Sequence, residues 1–512
     1  MESSAAEARI AEARREGFAR GMAQYSGFAA GNVNSRLMNF SGALDSSNKE
    51  IKRDIRAIRA HSRTLARDNA FSRRFIQLCG THIVGPNGIA FDSVITGSQG
   101  KPKKAWNNAI KAAWKLWGRS ATVDGMPWAD FEALVLGTVA TDGEAFVRKV
   151  SGFDNAFGFA LELIDADRVD STWNRAPSIG LNEIAMGVEI DSWGRRVAFW
   201  VWTAHPTDYT TERRRVRIPA SEIVHIGRPD RTHATRFLPW STPVMPLMNL
   251  LGRYWNSEIA AANWEADRLG FLVSDVNTMD PSDGGESLVD PSTLDVQSDM
   301  AQFIGLPPGV KAEIPNLQHP STAFDPFSKA MLRGIASGLG VAYHSLTGDV
   351  GAANYSSARV ALLEERDNWR RLQGWFTRSF HDQIFGDWLN MAVLSGNLSI
   401  PVADPGRICA PRWYARGWEW IDPEKDANAN KAAIGAGFTT LQRVCAEQGD
   451  DWEEILDQRA VEQAKAKKLG LFLDYSTKGA MPAQEASAEA PAGTDPETEN
   501  DTADAKGDAS NE

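Results

Sequence analysis

The sequence predicts an α+β protein in which amphipathic helices surround a block of hairpin-joined strands. Three observations carry this. Apolar residues recur at helical spacing up to about residue 140, strand-like alternation takes over near Glu144, and two later helical stretches bracket a Pro- and Gly-rich segment. Tight turns, not helices, join the successive strands, so the sheets should be antiparallel and the fold not doubly wound.

The elements follow in order. Residues 1–50 begin as an Ala/Glu/Arg helix and loosen into GNVNSRLMNFSGALDSSN, a composition that reads as an arm. From Lys52, the residues Ile55, Ile58, Leu65, Phe71, Phe75 and Ile76 keep a helical rhythm beneath an arginine-rich face. That face is expected to be solvated or paired with acids more often than to meet phosphates. PKKAWNNAIKAAWKLWG aligns Trp106, Ile110, Trp114 and Trp117, and PWADFEALVLGTVATDG has Asp130 near its start and Gly143 beyond its end. GEAFVRKV, FALELIDADRV, MGVEIDSWGRRVAFWVW and RRRVRIPASEIVHIG read as strands, with a hairpin turn at Asp191–Gly194.

Beyond the strands, Trp255, Ile259, Ala262, Ala266 and Leu269 mark one helix face expected to be buried. Residues 275–324 interrupt it, and the next helix is expected to start with Asp325 as cap and Pro326 in its first turn. Ala330, Gly334 and Gly338 lie four apart along it. A helix glycine costs about 1 kcal/mol against Ala, so the spacing suits close approach of another backbone. The stretch GDVGAANYSSARVALLEERDNWRRLQGWF, Gly348 to Phe376, runs from a glycine-rich loop into a charged helix, with Asp367 and Arg371 as an expected i,i+4 pair. A Trp-rich turn and at least three short helices follow, with starts at Asp422–Pro423 and Thr439–Thr440 and stops at Gly437 and Gly449.

The totals narrow the function classes. A chain of 512 residues with 43% hydrophobic content can build two or three packed units. Cys79, Cys409 and Cys445 are far apart and form no CxxC, which argues against a disulfide scaffold or zinc site and fits a reducing compartment. Neither a signal peptide nor a bilayer-length apolar run is present, so a soluble cytoplasmic product is expected. The net charge is −11, and the segment after Met481 holds nine acids against Lys506, the composition of a disordered tail. The remaining body is only mildly acidic and offers no whole-chain basic excess for tight duplex binding. Eighteen Trp suit either extensive subunit contacts or a generous core.

Catalytic signatures are weak. GSQGKPKK at Gly97–Lys104 has the wrong spacing for an NTP loop, and GLG at Gly338–Gly340 is only a fragment of a dinucleotide fingerprint. Asp165, Asp167 and Asp170 bring three carboxylates together, but a polar turn is favoured over a cation or acid–base site. His225, Arg228, Arg231, His233 and Arg236 gather in one stretch, expected to be a flexible basic surface loop. No catalytic residue, cofactor or metal site is assigned.

Long ordered motifs then resemble a known family. RAIRAHSRTLARDNAFSRRFIQLCGTHIVGPNGI, RIPASEIVHIG, GVAYHSLTGD followed by NYSSARVALLEERDNWRRLQ, and WYARGWEWIDPEKDANANKAAIGAGFTTLQ resemble the lambda-type portal proteins of tailed bacteriophages over roughly residues 50–470. One departure is RPDRTHATRF, where the family tends to read a turn containing Gly and Gln. The resemblance implies a portal fold and no enzyme activity. It implies a homo-oligomeric ring, typically a dodecamer, at one capsid vertex of the virion, assembled in the host bacterial cytoplasm. Double-stranded DNA would enter and leave through the channel. The terminase large subunit, the major capsid protein and the head–tail connector would be partners, with no membrane role.

Mapped onto the chain, it implies an N-terminal arm (1–50), a wing of helices and antiparallel sheet (51–240), stem helices (241–272 and 325–345) and a clip (273–324). A tunnel loop (346–357), a long wing helix (358–400), a crown (401–475) and the acidic tail (476–512) complete it. Gly348, Asp349, Gly351, Asn354, Tyr355, Ser356 and Ser357 would be the loop residues that meet DNA. The alternative for the last four is that NYSS only caps the following helix. Ala330, Gly334 and Gly338 would face a neighbouring subunit. Two rival functions stand beside this one: a polymer hydrolase using Asp165, Asp167 and Asp170, and a prophage-derived DNA-binding adaptor without a channel.

Overall fold

Asn69 divides what the apolar rhythm presents as one helical stretch. The first helix, α1 (Ser47–Asp68), opens at Ser46, whose side chain accepts from the Lys49 N–H, and closes when the Asn69 N–H donates to Leu65 O. The Asn69 side chain then accepts from the N–H groups of Phe71 and Ser72 and starts α2 (Ala70–Cys79). One residue thus satisfies orphan groups of two helices, and the chain turns between them. This computed structural model describes residues 45–95, 103–208, 212–266, 297–298, 301–302, 322–351, 355–399, 410–418, 423–450 and 452–471. The chain divides into two units, Met1–Asp451 and Trp452–Glu512.

In the first unit a π-helical turn, Gly80–Val84, leads to β1 (Ala90–Val94). Helix α3 (Lys104–Trp117) buries Ile110, Trp114 and Trp117, and α4 (Trp128–Asp142) buries Phe131, Val135, Leu136 and Val139. Helix α4 ends at Gly143, with φ 89°, and a Cβ there would lie 2.3 Å from the backbone of Leu238. Only glycine fits that turn.

Two antiparallel sheets follow, as hairpin linkage requires. One has the order β3-β2-β8, from β2 (Glu144–Ser151), β3 (Phe159–Ile164) and β8 (Ile223–Gly227). The other is a meander of β4 (Glu183–Ala185), β5 (Val188–Ile190), β6 (Arg196–Trp202) and β7 (Arg215–Pro219). The β5–β6 turn sits at the expected Asp191–Gly194: Asp191 Oδ1 accepts from the N–H groups of Trp193 and Arg195, and Gly194 has φ 78°. Phe146, Val188, Phe199, Val201 and Ile218 form a small core shared by the two sheets.

Helix α5 (Met245–Ala266) and α6 (Phe324–Leu339) flank a short ladder of β9 (Gln297–Ser298) and β10 (Ala301–Gln302). Most of the expected clip lies outside the described residues, as do residues 1–44, the Cys409 position and the acidic tail. A single turn, α7 (Tyr343–Thr347), precedes α8 (Tyr355–Phe376), a π-helical turn and α9 (Asp382–Leu394). Then come β11 (Ala410–Tyr414), which pairs antiparallel with β1, and helices α10 (Pro423–Gly435) and α11 (Leu441–Gln448). Thr440 caps α11 and Gly449 ends it, as expected. The second unit holds α12 (Trp452–Lys468), with Glu453 and Glu454 in its first turn and Lys465, Lys467 and Lys468 in its last, a pattern that complements the helix dipole.

The main core is aromatic. Trp114 packs against Trp117, Trp128, Phe385, Trp388 and Trp413, joining α3, α4, α9 and β11. Trp117, Trp369 and Trp388 are also buried, so much of the Trp content serves the interior of the subunit.

Three local expectations are corrected. Helix α6 starts one residue early, at Phe324; Asp325 lies inside its first turn and pairs with Lys329 at 2.9 Å instead of capping. Asp367 pairs with Arg370 at 2.9 Å, whereas Arg371 donates to Asn368, because the i,i+3 geometry brings those groups closer. On α5 the expected buried face stops at Trp255. Met248 and Leu251 reach the core, but Ile259 is 56% exposed and Ala262 is exposed, since no other described element covers the outer turns.

Candidate functional site

The helix pair and the loop after it form the candidate site. Helices α5 and α6 are joined through aromatic contacts of Tyr254 with Phe324 and Phe327, and through Trp255 Nε1, which donates to Ser328 Oγ at 3.0 Å. Along α6, Leu332, Ile335, Ala336 and Leu339 are buried, while Phe327 is 47% exposed. The three small residues do not share one environment. A Cβ on Gly338 would lie 2.3 Å from Val244 Cγ1, so its smallness already serves packing within the subunit. Ala330 and Gly334 are exposed, and a Cβ on Gly334 would meet open space.

The loop is tethered on its entry side. Helix α7 stops at Gly348, which has φ 75° and whose N–H donates to His344 O at 2.8 Å. Tyr343 Oη donates to Asp349 Oδ2 at 3.0 Å, and Asp349 Oδ1 accepts from the Gly351 N–H at 3.1 Å. The Gly351 and Tyr343 hydrogen bonds, helped by Lys329 and Arg333 nearby, hold the Asp349 carboxyl below its ordinary range despite some desolvation. Ser345 Oγ donates to Glu365 Oε2 at 2.6 Å, and Asn368 Nδ2 donates to Gly340 O at 3.0 Å, fastening the segment to α8. Val350 remains 69% exposed. Asn354 lies outside the described residues, as do the side chains of Tyr355, Ser356 and Ser357; the backbone is helical from Tyr355.

The body carrying these features is locked by buried charge. Glu144, fully buried at the start of β2, accepts from Arg59 at 2.7 Å and Arg236 at 2.7 Å, and faces His225 Nε2 at 2.9 Å. Arg236 also donates to the carbonyls of Met186, Ala166 and Val169 at 2.7, 3.1 and 3.3 Å. Burial alone would raise the Glu144 pKa, but Arg236, His225 and Arg59 outweigh it and hold the carboxyl well below its ordinary range. His225 moves the other way: burial pushes it down to about 4, so it is neutral near pH 7. The expected flexible basic loop is therefore corrected at two positions. Arg236 and His225 are internal, because the Glu144 carboxylate and three backbone carbonyls meet the Arg236 guanidinium and Glu144 also meets His225 Nε2.

Asp165, Asp167 and Asp170 do come near one another, but as partners of arginines. Arg59 donates to Asp167 at 2.6 Å and Arg63 to Asp167 at 2.7 Å, and Arg63 reaches Asp165 at 3.1 Å and Asp142 at 2.6 Å. Asp170 accepts from the Thr172 N–H and Oγ1 and lies 3.5 Å from Arg215. Burial opposes ionisation of Asp167, yet Arg59 and Arg63 still hold its pKa low. Asp165, Asp167 and His205 could offer ligand atoms within 4.8 Å of one another. Two guanidinium groups already pair with Asp165 and Asp167, which disfavours a cation there. The hydrolase expectation loses its basis here, and the arginine face of α1 is in large part matched by acids.

The described surface thus combines uncovered apolar helix turns with a tethered loop, the features of a scaffold that assembles with other chains. The chain belongs to the lambda family of phage portal proteins, whose family model matches residues 34–373. It is similar to the "Probable portal protein" of Halomonas phage phiHAP-1, 29% identical over 432 residues and 83% of each chain. It is also similar to "Portal protein B" of Escherichia phage lambda, 22% identical over 498 residues, covering 88% of this chain and 91% of that one. Among solved structures, a chain in the neck of a native GTA particle computed with C12 symmetry has a TM-score of 0.39 and 16% identity, over 78% of this chain and 94% of that one. Another, from the neck of an empty GTA particle computed with C6 symmetry, has a TM-score of 0.44 and 15% identity over 78% and 94%.

Proposed function

We propose that this protein forms a closed homo-oligomeric ring, a dodecamer, at one capsid vertex, and that double-stranded DNA passes through its centre during packaging and ejection. Family membership over residues 34–373 is the observation that carries this reading. The structure adds support: Ile259 on α5 is 56% exposed and Phe327 on α6 47% exposed, as expected of helices packed side by side in a ring. In a closed ring each contact is heterologous and the rotation must close, so exposed Ala330 and Gly334 suit the approach of a neighbouring helix.

On this reading residues 51–240 form the wing, with 358–400 as its long helix. Residues 241–272 and 325–345 are the stem, 273–324 the clip, 346–357 the tunnel loop and 401–475 the crown. The major capsid protein would meet the ring at its outer surface, and the terminase large subunit and later the head–tail connector would dock at the clip. The subunit itself carries out no chemistry.

The channel must conduct a polyanion without gripping it. Duplex DNA carries one negative charge per about 1.7 Å, so a strongly cationic wall would hold many phosphates at once. A body only mildly acidic once the tail is set aside suits weak adhesion. Gly348, Asp349 and Gly351, with Asn354, Tyr355, Ser356 and Ser357 beyond them, would give transient contacts blind to sequence. Tethering by Tyr343 and Glu365 would hold the entry of that loop in place while its tip follows the grooves. Deleting residues 351–355 tests the assignment: rings should form normally while DNA retention or packaging falls. Failure to form rings would show instead that the loop serves assembly.

A further inference from the structure

A cleft of about 1630 Å³ lies between the meander sheet and the segment after β8, and nothing in the proposed channel function uses it. Its walls include Leu181, Glu183, Trp193, Asp230 and His233, with His225 at its edge and Asn48 beside them. The volume exceeds the 300–1,000 Å³ typical of small-molecule sites, which points to a longer occupant. Its lining mixes polar and apolar side chains, and Trp193, 84% exposed, and Leu181, 51% exposed, put apolar surface on the rim. One polar group there lacks a partner. The His225 side chain is only 2% exposed, and with Nε2 on Glu144 its buried Nδ1 has no hydrogen-bond partner among the described residues. With the proton on Nε2, Nδ1 is an acceptor that an incoming N–H or O–H would satisfy.

The described chain begins at the mouth of this cleft. Arg231 donates to Asp45 O at 3.2 Å and to Glu50 at 2.6 Å. Asn48 and Thr235 exchange two hydrogen bonds, each of 2.8 Å. We propose that the cleft is the docking groove for the N-terminal arm of the same chain, occupied by residues 28–44. That segment, FAAGNVNSRLMNFSGAL, supplies Phe28, Val33, Leu37, Met38 and Phe40 for Trp193 and Leu181 on the rim, and Arg36 to face Glu183 and Asp230. At about 3.3 Å per residue it is long enough to run the length of such a cleft and return. The anchor at Asp45 keeps it at high effective concentration there, which favours the chain's own arm over a neighbour's.

The test uses the full-length protein with the photo-cross-linker p-benzoylphenylalanine in place of Trp193, an exposed position whose change spares the core. Mass spectrometry of a mixture of isotopically heavy and light protein should place the cross-links in residues 28–44, within chains of one label only. In the same protein lacking residues 1–44, backbone amides of Ser178–Leu181 and Asp230–His233 should exchange with deuterium about tenfold faster than in the full chain. Cross-links to another segment, or joining heavy to light chains, would overturn the proposal. So would a lack of cross-links together with unchanged exchange.

Discussion

Replacing Glu144 with Gln probes the charge lock that holds the body of the subunit together. The change keeps the shape but removes the charge that balances two buried guanidinium groups at 2.7 Å, Arg59 and Arg236. Breaking a buried ion pair by removing one partner costs about 3–5 kcal/mol. Arg59 keeps Asp167 at 2.6 Å and Arg236 keeps three carbonyls, which moderates the loss. Gln also turns an N–H toward an arginine or His225, which adds to it. The net expectation is a loss of about 3 kcal/mol, read as a lower urea midpoint at pH 7 with an unchanged slope. Arg236→Met alone should cost a similar amount by leaving Glu144 less balanced, and the double variant should cost less than the sum of the two. A Glu144→Gln protein within about 1 kcal/mol of the parent would refute the argument, since neutral packing would then suffice there.

Further expectations concern acidity, packing and the loop. His225 has its folded pKa lowered to about 4, below the ordinary 6.5, so its contribution is complete above pH 6.5 and lost as pH falls toward 4; the unfolding free energy from urea titrations should drop across that window by about 3 kcal/mol in total for this group. A flat profile from pH 6.5 to 4 would contradict its burial in a neutral state. Gly338→Leu should destabilise the isolated subunit by about 1–3 kcal/mol through Val244. Gly334→Leu, with open space around it, should leave subunit melting unchanged yet reduce ring yield in light scattering; equal ring yields would remove Gly334 from the subunit contact. Asp349→Ala should speed deuterium exchange at Gly348–Gly351 without changing the core, and unchanged exchange would mean that the Tyr343 and Gly351 bonds do not hold the loop.

The elements whose determinants lie close together in sequence were legible from it. The β5–β6 turn at Asp191–Gly194, the stop of α4 at Gly143 and the Thr440 cap of α11 all depend on residues within a few positions of one another. The long motifs shared with portal proteins made the family legible as well. What escaped was long-range pairing. Glu144 lies 85 residues from Arg59 and 92 from Arg236, so nothing local marks His225 and Arg236 as interior rather than as parts of a basic loop. The acids at Asp165 and Asp167 read as a polar turn, with nothing local to show their arginine partners, which sit 102 to 108 residues earlier on α1. On α5 the apolar rhythm was real, but periodicity marks a face to be covered without saying which chain covers it; Ile259 stays exposed in the single subunit.

The central claim is that many copies of this subunit enclose an open passage for duplex DNA. Negative-stain electron microscopy of the purified full-length protein under assembly conditions is the most direct measurement. It should show rings with a central hole at least as wide as a double helix. Particles without a hole, or subunits that stay monomeric under every condition tried, would contradict it.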